Sequence, residues 1–179
     1  FFFRIKMASA VGTGYDYCVS QYSPDGKIFQ IDYAKKAVDN SSTAIGICFK
    51  NGVVLAVEKE TTSILHEKNS FNRIFHIDTN IGMAISGLTA DARQIVAFAR
   101  KECKSHRELY GSSIPITSLT HRVALLVHAY TTHSSLRPFG CSVLLAAFEE
   151  SKPLLYCVDA SGSFHGYHAC AIGKDKVKA

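Results

Sequence analysis

His165, His168 and Cys170 are residue types that hold zinc, and on a strand His168 and Cys170 would share one face. No fourth ligand stands at a fitting spacing, so a metal site is not expected. His121 and His128 lie seven apart on one face of a helical stretch, where half-buried or interfacial histidine is far commoner than a ligand pair. Gly12-Thr13-Gly14 lacks the third glycine and the preceding strand that a nucleotide loop needs. Neither G-x-S-x-G nor a Walker sequence occurs, and nothing in the pattern calls for a cofactor. The same glycines give the leader conformational freedom, while Tyr15 and Asp16 behind them offer a ring, a hydroxyl and a carboxylate for hydrogen bonds to neighbouring copies. Such an arm could plug an opening reversibly; the plain alternative is a frayed terminus.

The elements that must position these groups are legible from periodicity and turn chemistry. Pro24-Asp25-Gly26 is a turn, and Phe29, Tyr33 and Ala37 recur every fourth residue after it, so a short amphipathic helix is predicted from Lys27 to Val38. Apolar, β-branched runs over 43–50 and 53–59 are joined by Asn51-Gly52, which predicts a hairpin. A second pair is expected over 73–78 and 81–86 around Thr79-Asn80, with Gly87 as the corner. From Thr89 to about Tyr110 the positions Ala92, Ile95, Val96, Ala99 and Cys103 step by three and four, with Gly111 as the stop. A second helix is predicted from Thr117, a plausible N-cap, to about His133, on Leu119, Val123, Leu126, Val127 and Tyr130. Strands are expected again over 142–148, 154–159 and 163–170, the last two joined by Ala160-Ser161-Gly162. Val53 to Val57 and Val143 to Phe148 are nearly all apolar, which suits sheets covered on both faces. Two sheets face to face with helices outside would meet that requirement.

Composition narrows the function classes. At 179 residues and 47% hydrophobic content the chain supports one domain with a real core. Lys and Arg exceed Asp and Glu by 20 to 15, but Arg4, Lys6, Lys174, Lys176 and Lys178 lie at the ends, so no basic stripe forms and nucleic acid is not an expected partner. No apolar run approaches the roughly 20 residues that span a bilayer, so no membrane partner is expected. Six scattered cysteines without a C-x-x-C pair point to reduced thiols in the cytoplasm and nucleus. Residues 1–6 before Met7 are too short for a signal peptide and read as a non-native leader.

Ser23-Pro24-Asp25-Gly26-Lys27, followed by Phe29-Gln30 and Asp32-Tyr33-Ala34, resembles the signature of proteasome alpha-type subunits. The later stretches agree in the family's order: Ser42-Thr43-Ala44-Ile45-Gly46, Ser86-Gly87-Leu88-Thr89-Ala90-Asp91-Ala92-Arg93, Arg137-Pro138-Phe139-Gly140-Cys141-Ser142 and Ala171-Ile172-Gly173-Lys174. Tyr15-Asp16-Tyr17, with tyrosine third where most alpha types carry arginine, and Ala37 to Ser42 point to one branch of the alpha types.

The resemblance implies an α+β fold, the four-layer α/β/β/α sandwich of N-terminal nucleophile hydrolases. It also implies that this chain lacks the family's C-terminal helices and last strands, leaving one sheet without its outer cover. On that reading residues 7–22 are a gating arm and 23–179 a partial alpha-type domain, with Ala171-Ile172-Gly173-Lys174 opening a third helix. Catalytic relatives begin their first strand with a threonine whose own amine is the base. Here Ser42 and Thr43 occupy that place behind a long arm, Glu58 lies where those relatives carry aspartate, and Arg73 lies near their lysine. A peptide nitrogen accepts no proton and arginine does not give one up, so no catalytic residue is expected.

The implied function is a non-catalytic structural and gating subunit of the 20S alpha ring in ubiquitin-dependent degradation. Tyr15, Asp16, Pro24 and Tyr33 match the cluster that holds the open gate. Arg73, Gly87 and Asp32 match a pocket for the C-terminal tail of an activator, with arginine for the usual lysine; an ordinary surface arginine reads equally well. The implied partners are neighbouring alpha subunits, the beta ring, and regulatory ATPase or activator tails. Two alternatives stand beside this: a hydrolase released by cleavage before Ser42 or Thr43, and a fragment unable to assemble.

Overall fold

The computed structural model describes residues 14–59, 63, 65–67 and 72–179; the leader 1–6 and Met7 to Thr13 of the arm lie outside them. Helix α1 (Phe29–Asp39) leads into the hairpin β1 (Ala44–Phe49) and β2 (Gly52–Val57), then β3 (Ile74–Asp78) and β4 (Ile81–Gly87). Helices α2 (Thr89–Tyr110) and α3 (Ile116–Thr132) follow, and β5 (Cys141–Glu149), β6 (Lys152–Val158), β7 (Phe164–Gly166) and β8 (Ala169–Ile172) complete the described elements. All pairings are antiparallel, in a five-stranded sheet ordered β3-β4-β5-β6-β7 and a three-stranded sheet ordered β2-β1-β8.

Period-2 alternation in the central strands makes two cores from one sheet. Met83 and Ile85 of β4 with Val143, Leu145 and Ala147 of β5 face the helices, meeting Ile95, Ala99, Leu119, Val123 and Val127. Ala84, Leu144 and Ala146 point the other way and, with Leu155, pack against Ala44 and Ile172 of the second sheet. β5 is therefore buried on both faces from Cys141 to Ala147, as its apolar run predicts. β2 is not: Val54 is 53% exposed, and the outer face carrying Ile47, Phe49 and Val54 is open. The chain thus shows the helix layer and both sheets of the α/β/β/α sandwich, with the outer cover of the smaller sheet absent among the described residues.

Several local expectations are corrected. Phe49 pairs with Gly52, so Lys50-Asn51 makes the first turn rather than Asn51-Gly52, and neither takes positive φ. The β5–β6 turn instead uses left-handed Glu150 (φ 49°) and Ser151 (φ 62°), although neither residue type favours that region. Helix α1 starts at Phe29 rather than Lys27, because Ser23 N–H donates to the Lys27 carbonyl and Lys27 N–H to Ser23 Oγ, holding Lys27 in the turn. Helix α3 starts at Ile116, ahead of Thr117; Pro115 is its N-cap, and Ile116 N–H is satisfied by Glu149 Oε1 at 2.8 Å.

The largest correction is the last expected strand. Residues 163–170 are not one strand, because consecutive residues bond to different sheets: Tyr167 N–H donates to Leu155 O while His168 O accepts the Cys48 N–H, both at 2.8 Å. The chain crosses there from the large sheet to the small one. His168 lies in the crossing, so it does not share a strand face with Cys170, and among the described residues no three of His, Cys, Asp and Glu come together as a metal site. Ala171 and Ile172 end β8 rather than opening a helix; after Gly173 a single turn follows, with Lys178 and Ala179 N–H donating to Asp175 O.

Candidate functional site

Ser42 and Thr43 lead into β1 at the end of the sheet interface, where the Thr43 N–H, the Thr43 carbonyl and the Ser42 carbonyl are all engaged. Thr43 N–H, a peptide nitrogen, points at Glu58 Oε2 at 3.4 Å, and the Thr43 carbonyl accepts the Glu58 N–H at 2.9 Å. Ser86 Oγ donates to the Ser42 carbonyl at 2.9 Å and lies 2.6 Å from Ser41 Oγ. Lys174 N–H closes the corner on Ser41 O at 2.9 Å. Gly173 is required here: at φ +101° its Cβ would lie 2.7 Å from Ser42 O and 2.8 Å from Ser86 Oγ. Ser42 is 1% exposed, and its hydroxyl has no partner among the described residues. Glu58 thus stands beside a peptide bond rather than an amine.

The arm ties onto α1. Tyr33 O–H donates to Asp16 Oδ2 at 3.5 Å, Gln30 Nε2 donates to the Asp16 carbonyl, and the Phe29 and Tyr33 rings stack 6.5 Å apart. Lost hydration and the Asp16 carboxylate together raise the Tyr33 phenol above its ordinary value, so it stays protonated as a donor. Asp16 Oδ1 is buried without a partner among the described residues. Pro24 lies exposed in the turn that Gly26 N–H closes on Ser23 O at 2.9 Å, and Tyr15 is half-buried beside Asp16. Of the four expected cluster residues, the structure joins Asp16 to Tyr33.

Arg73 and Gly87 share one end of the large sheet. The Arg73 carbonyl accepts the Ile85 N–H at 3.0 Å, and Gly87 follows two residues later at φ +114°. A Cβ there would fall 2.2 Å from Gly140 O, so only glycine fits. Arg73 Nη1 is buried with no hydrogen-bond partner among the described residues. Asp32 is exposed in the first turn of α1 and, among the described residues, bonds to neither Arg73 nor Gly87.

One arrangement was not anticipated. Asp91, in the first turn of α2, takes Arg137 Nη1 and Nη2 at 2.6 and 2.7 Å and the Gly140 N–H at 2.9 Å, while Leu88 N–H donates to Gly140 O at 2.9 Å. Hydrogen bonds from Arg137 hold the Asp91 carboxyl below its ordinary value despite burial. Beside it, burial pushes the Cys141 thiol up to about 12. Two distant segments are thereby clamped at the Gly87 corner. An acid in a helix's first turn was the available signal; its partner 46 residues away was not.

Comparison with known families agrees with this layout. The proteasome subunit family matches residues 38–179, and the N-terminal signature of the A-type proteasome subunits matches 15–37. The chain is 53% identical to an alpha type-3 proteasome subunit of Drosophila melanogaster over 96% of its length and 68% of the relative's. It is 48% identical to the alpha type-3 proteasome subunit of Dictyostelium discoideum over 96% and 69%. A proteasome alpha subunit of Thermococcus gammatolerans is 45% identical over 93% and 64%. The branch indicated by Tyr15-Asp16-Tyr17 and by Ala37 to Ser42 is alpha type-3. The chain belongs to the proteasome subunit family; it is an alpha-type member and a structural component of the 20S alpha ring.

Proposed function

We propose that this alpha-type subunit contributes architecture and exclusion, not hydrolysis, to a threonine-type endopeptidase complex serving ubiquitin-dependent degradation. The observation that carries the reading is the Ser42–Thr43 corner, where the nitrogen that would act as base is a peptide N–H. Residues 7–22 act as the gate arm and 23–179 as the ring-forming body. The Asp16–Tyr33 bond supports a gate cluster of Tyr15, Asp16, Pro24 and Tyr33, because it anchors the arm where it leaves the body. The Nη1 of Arg73, buried without a partner among the described residues, supports a carboxylate pocket with Gly87 and Asp32, since a buried guanidinium nitrogen gains most from an anionic partner. The partners are adjacent alpha subunits, the beta ring and activator tails; neither nucleic acid nor a membrane is among them. No described helix is long and apolar enough to cross a membrane, and all six cysteines are free, as the cytoplasm and nucleus require.

Deleting Met7 to Tyr17 is expected to raise basal peptide hydrolysis by assembled particles; unchanged activity rejects the gate. Intact-mass analysis addresses the competing hydrolase. A species beginning at Ser42 or Thr43 that reacts with an N-terminal-threonine electrophile would favour the enzyme, whereas an uncleaved arm favours the scaffold. Native gels with partner alpha subunits show whether the chain enters a ring.

A further inference from the structure

Cys157 of β6 and Cys170 of β8 belong to different sheets, yet the register turns them toward each other. Gly46 of β1 is directly opposite Cys170, and directly opposed residues point to the same side of a sheet. That side faces β6, because a Cβ on Gly46 would come within 2.7 Å of Leu155 Cδ1. Leu155 and Cys157 are two apart on β6 and share its inner face. Both cysteines pack on the inter-sheet core and line the same cleft. Gly46, by lacking a side chain, allows the close approach that a bond between facing sheets requires. The pair is half-buried and open to solvent through a cleft of about 500 Å³ that Asp159, His165, Tyr167 and Lys176 also line.

We propose that Cys157 and Cys170 are an oxidisable dithiol site that closes to an inter-sheet disulfide when a peroxide enters this cleft. Cys170 is the attacking group, since the neighbouring Cys157 thiol lowers that of Cys170, while the same neighbour and burial raise that of Cys157. The Cys170 thiolate attacks one peroxide oxygen; the S–O bond forms as the O–O bond breaks, and the departing hydroxide takes the thiol proton as water. Cys157 then attacks the sulfenic sulfur; the S–S bond forms, the S–O bond breaks, and the second oxygen leaves as water with the Cys157 proton. The other thiols are poorer candidates for pairing: Cys48 packs on the same core, but burial raises its thiol and its Sγ donates to Tyr167 O at 3.7 Å. Burial pushes Cys103 to about 11 and Cys141 to about 12, which leaves little thiolate at neutral pH. Cys18 is lowered by its hydrogen bond to Ser20, but it stands in the arm and shares no cluster with a second thiol among the described residues.

The test uses the reduced full chain, treated with hydrogen peroxide, blocked, digested and mapped by mass spectrometry. The expected result is a linked peptide pair carrying Cys157 and Cys170, with titratable thiols falling from six to four. Cys157→Ser should leave Cys170 as a sulfenic acid that a dimedone-type probe traps, and Cys170→Ser should leave Cys157 reduced. Equal trapping of Cys170 in the parent chain without a linked peptide, pairing to any other cysteine, or six thiols surviving treatment would each overturn the proposal. The parent-chain mapping does not depend on either variant folding.

Discussion

Replacing Asp91 measures how strongly two distant segments are clamped at the Gly87 corner. Its side chain is 9% exposed, whereas that of Arg137 is 65% exposed, so the two sides of the pair are unequal. Without the carboxylate Arg137 turns to water at little cost, but the buried Gly140 N–H loses its acceptor, at about 1–3 kcal/mol. Loss of an anion from the first turn of α2 adds about 0.3–1 kcal/mol. Asp91→Ala should therefore cost about 1–4 kcal/mol, which at about 2–4 °C per kcal/mol for a chain of this size lowers Tm by about 2–16 °C. Asp91→Asn keeps one carbonyl oxygen for Gly140 and should lose about 1 kcal/mol. Arg137→Ala, which leaves the Gly140 bond intact, should cost no more than that.

The pH dependence separates charge from packing. Asp91 titrates lower in the folded chain than in the unfolded one, so its contribution is complete above the ordinary carboxylate value near 3.9 and is lost as pH falls through the folded value below that. Thermal melts by circular dichroism at pH 7 and pH 3 should show the gap between parent and Asp91→Asn narrowing in acid. If Asn costs as much as Ala at pH 7, or if the Asn gap is the same at both pH values, the clamp is not electrostatic and the reasoning fails.

Other outcomes follow from the same geometry. Ser42→Ala removes a buried hydroxyl without a partner among the described residues and should leave Tm unchanged or raised, whereas Ser86→Ala breaks the bond to the Ser42 carbonyl and should cost about 1–2 kcal/mol in urea unfolding. Tyr33→Phe and Asp16→Asn should lower activator-stimulated peptide hydrolysis by assembled particles while basal activity stays low, if their bond holds the open arm; stimulation equal to the parent removes both from the gate. Arg73→Ala should weaken binding of a peptide with a free C-terminal carboxylate and leave its amidated twin unaffected, with Arg73→Lys intermediate; equal binding by the parent and both variants removes Arg73 from the pocket.

What could be read from the chain beforehand follows the range of the interactions involved. Helix α2 is local physics: Ala92, Ile95, Val96, Ala99 and Cys103 all face the core, and Gly111 ends the helix at φ +71° with its N–H on Arg107 O. The hairpins were legible too, but turn identity was not, because Phe49 to Gly52 and Glu149 to Lys152 take their register from sheet packing rather than from the best turn dipeptide. The break between β7 and β8 had no local signal: apolar Ala169 to Ile172 suits either sheet, and only the partners of Tyr167 and His168 decide. Tyr33 and Asp16, singled out by the sequence, are joined by a hydrogen bond. The Asp91–Arg137 clamp and the Cys157–Cys170 pair were not foreseen, because both connect elements that periodicity treats independently.

If the chain is non-catalytic, as proposed, the Ser42–Thr43 corner accounts for how a hydrolase scaffold keeps its shape without its chemistry. In a catalytic arrangement the strand start must be free, solvated and able to exchange protons. Here the same backbone is the junction of four segments: the strand start, Glu58 after β2, Ser86 near the end of β4, and the Gly173–Lys174 turn after β8. Ser86 Oγ on the Ser42 carbonyl ties the large sheet to the small one, while the Thr43–Glu58 and Ser41–Lys174 bonds close the strand ends of the small sheet, so opening the corner for a nucleophile would loosen the sandwich at this end. The arm's peptide bond, which abolishes the base, also supplies the Thr43 N–H and the Ser42 carbonyl that make the junction. On the proposed non-catalytic reading, the peptide bond that blocks the amine is also part of the joint, which suits a structural subunit of the alpha ring.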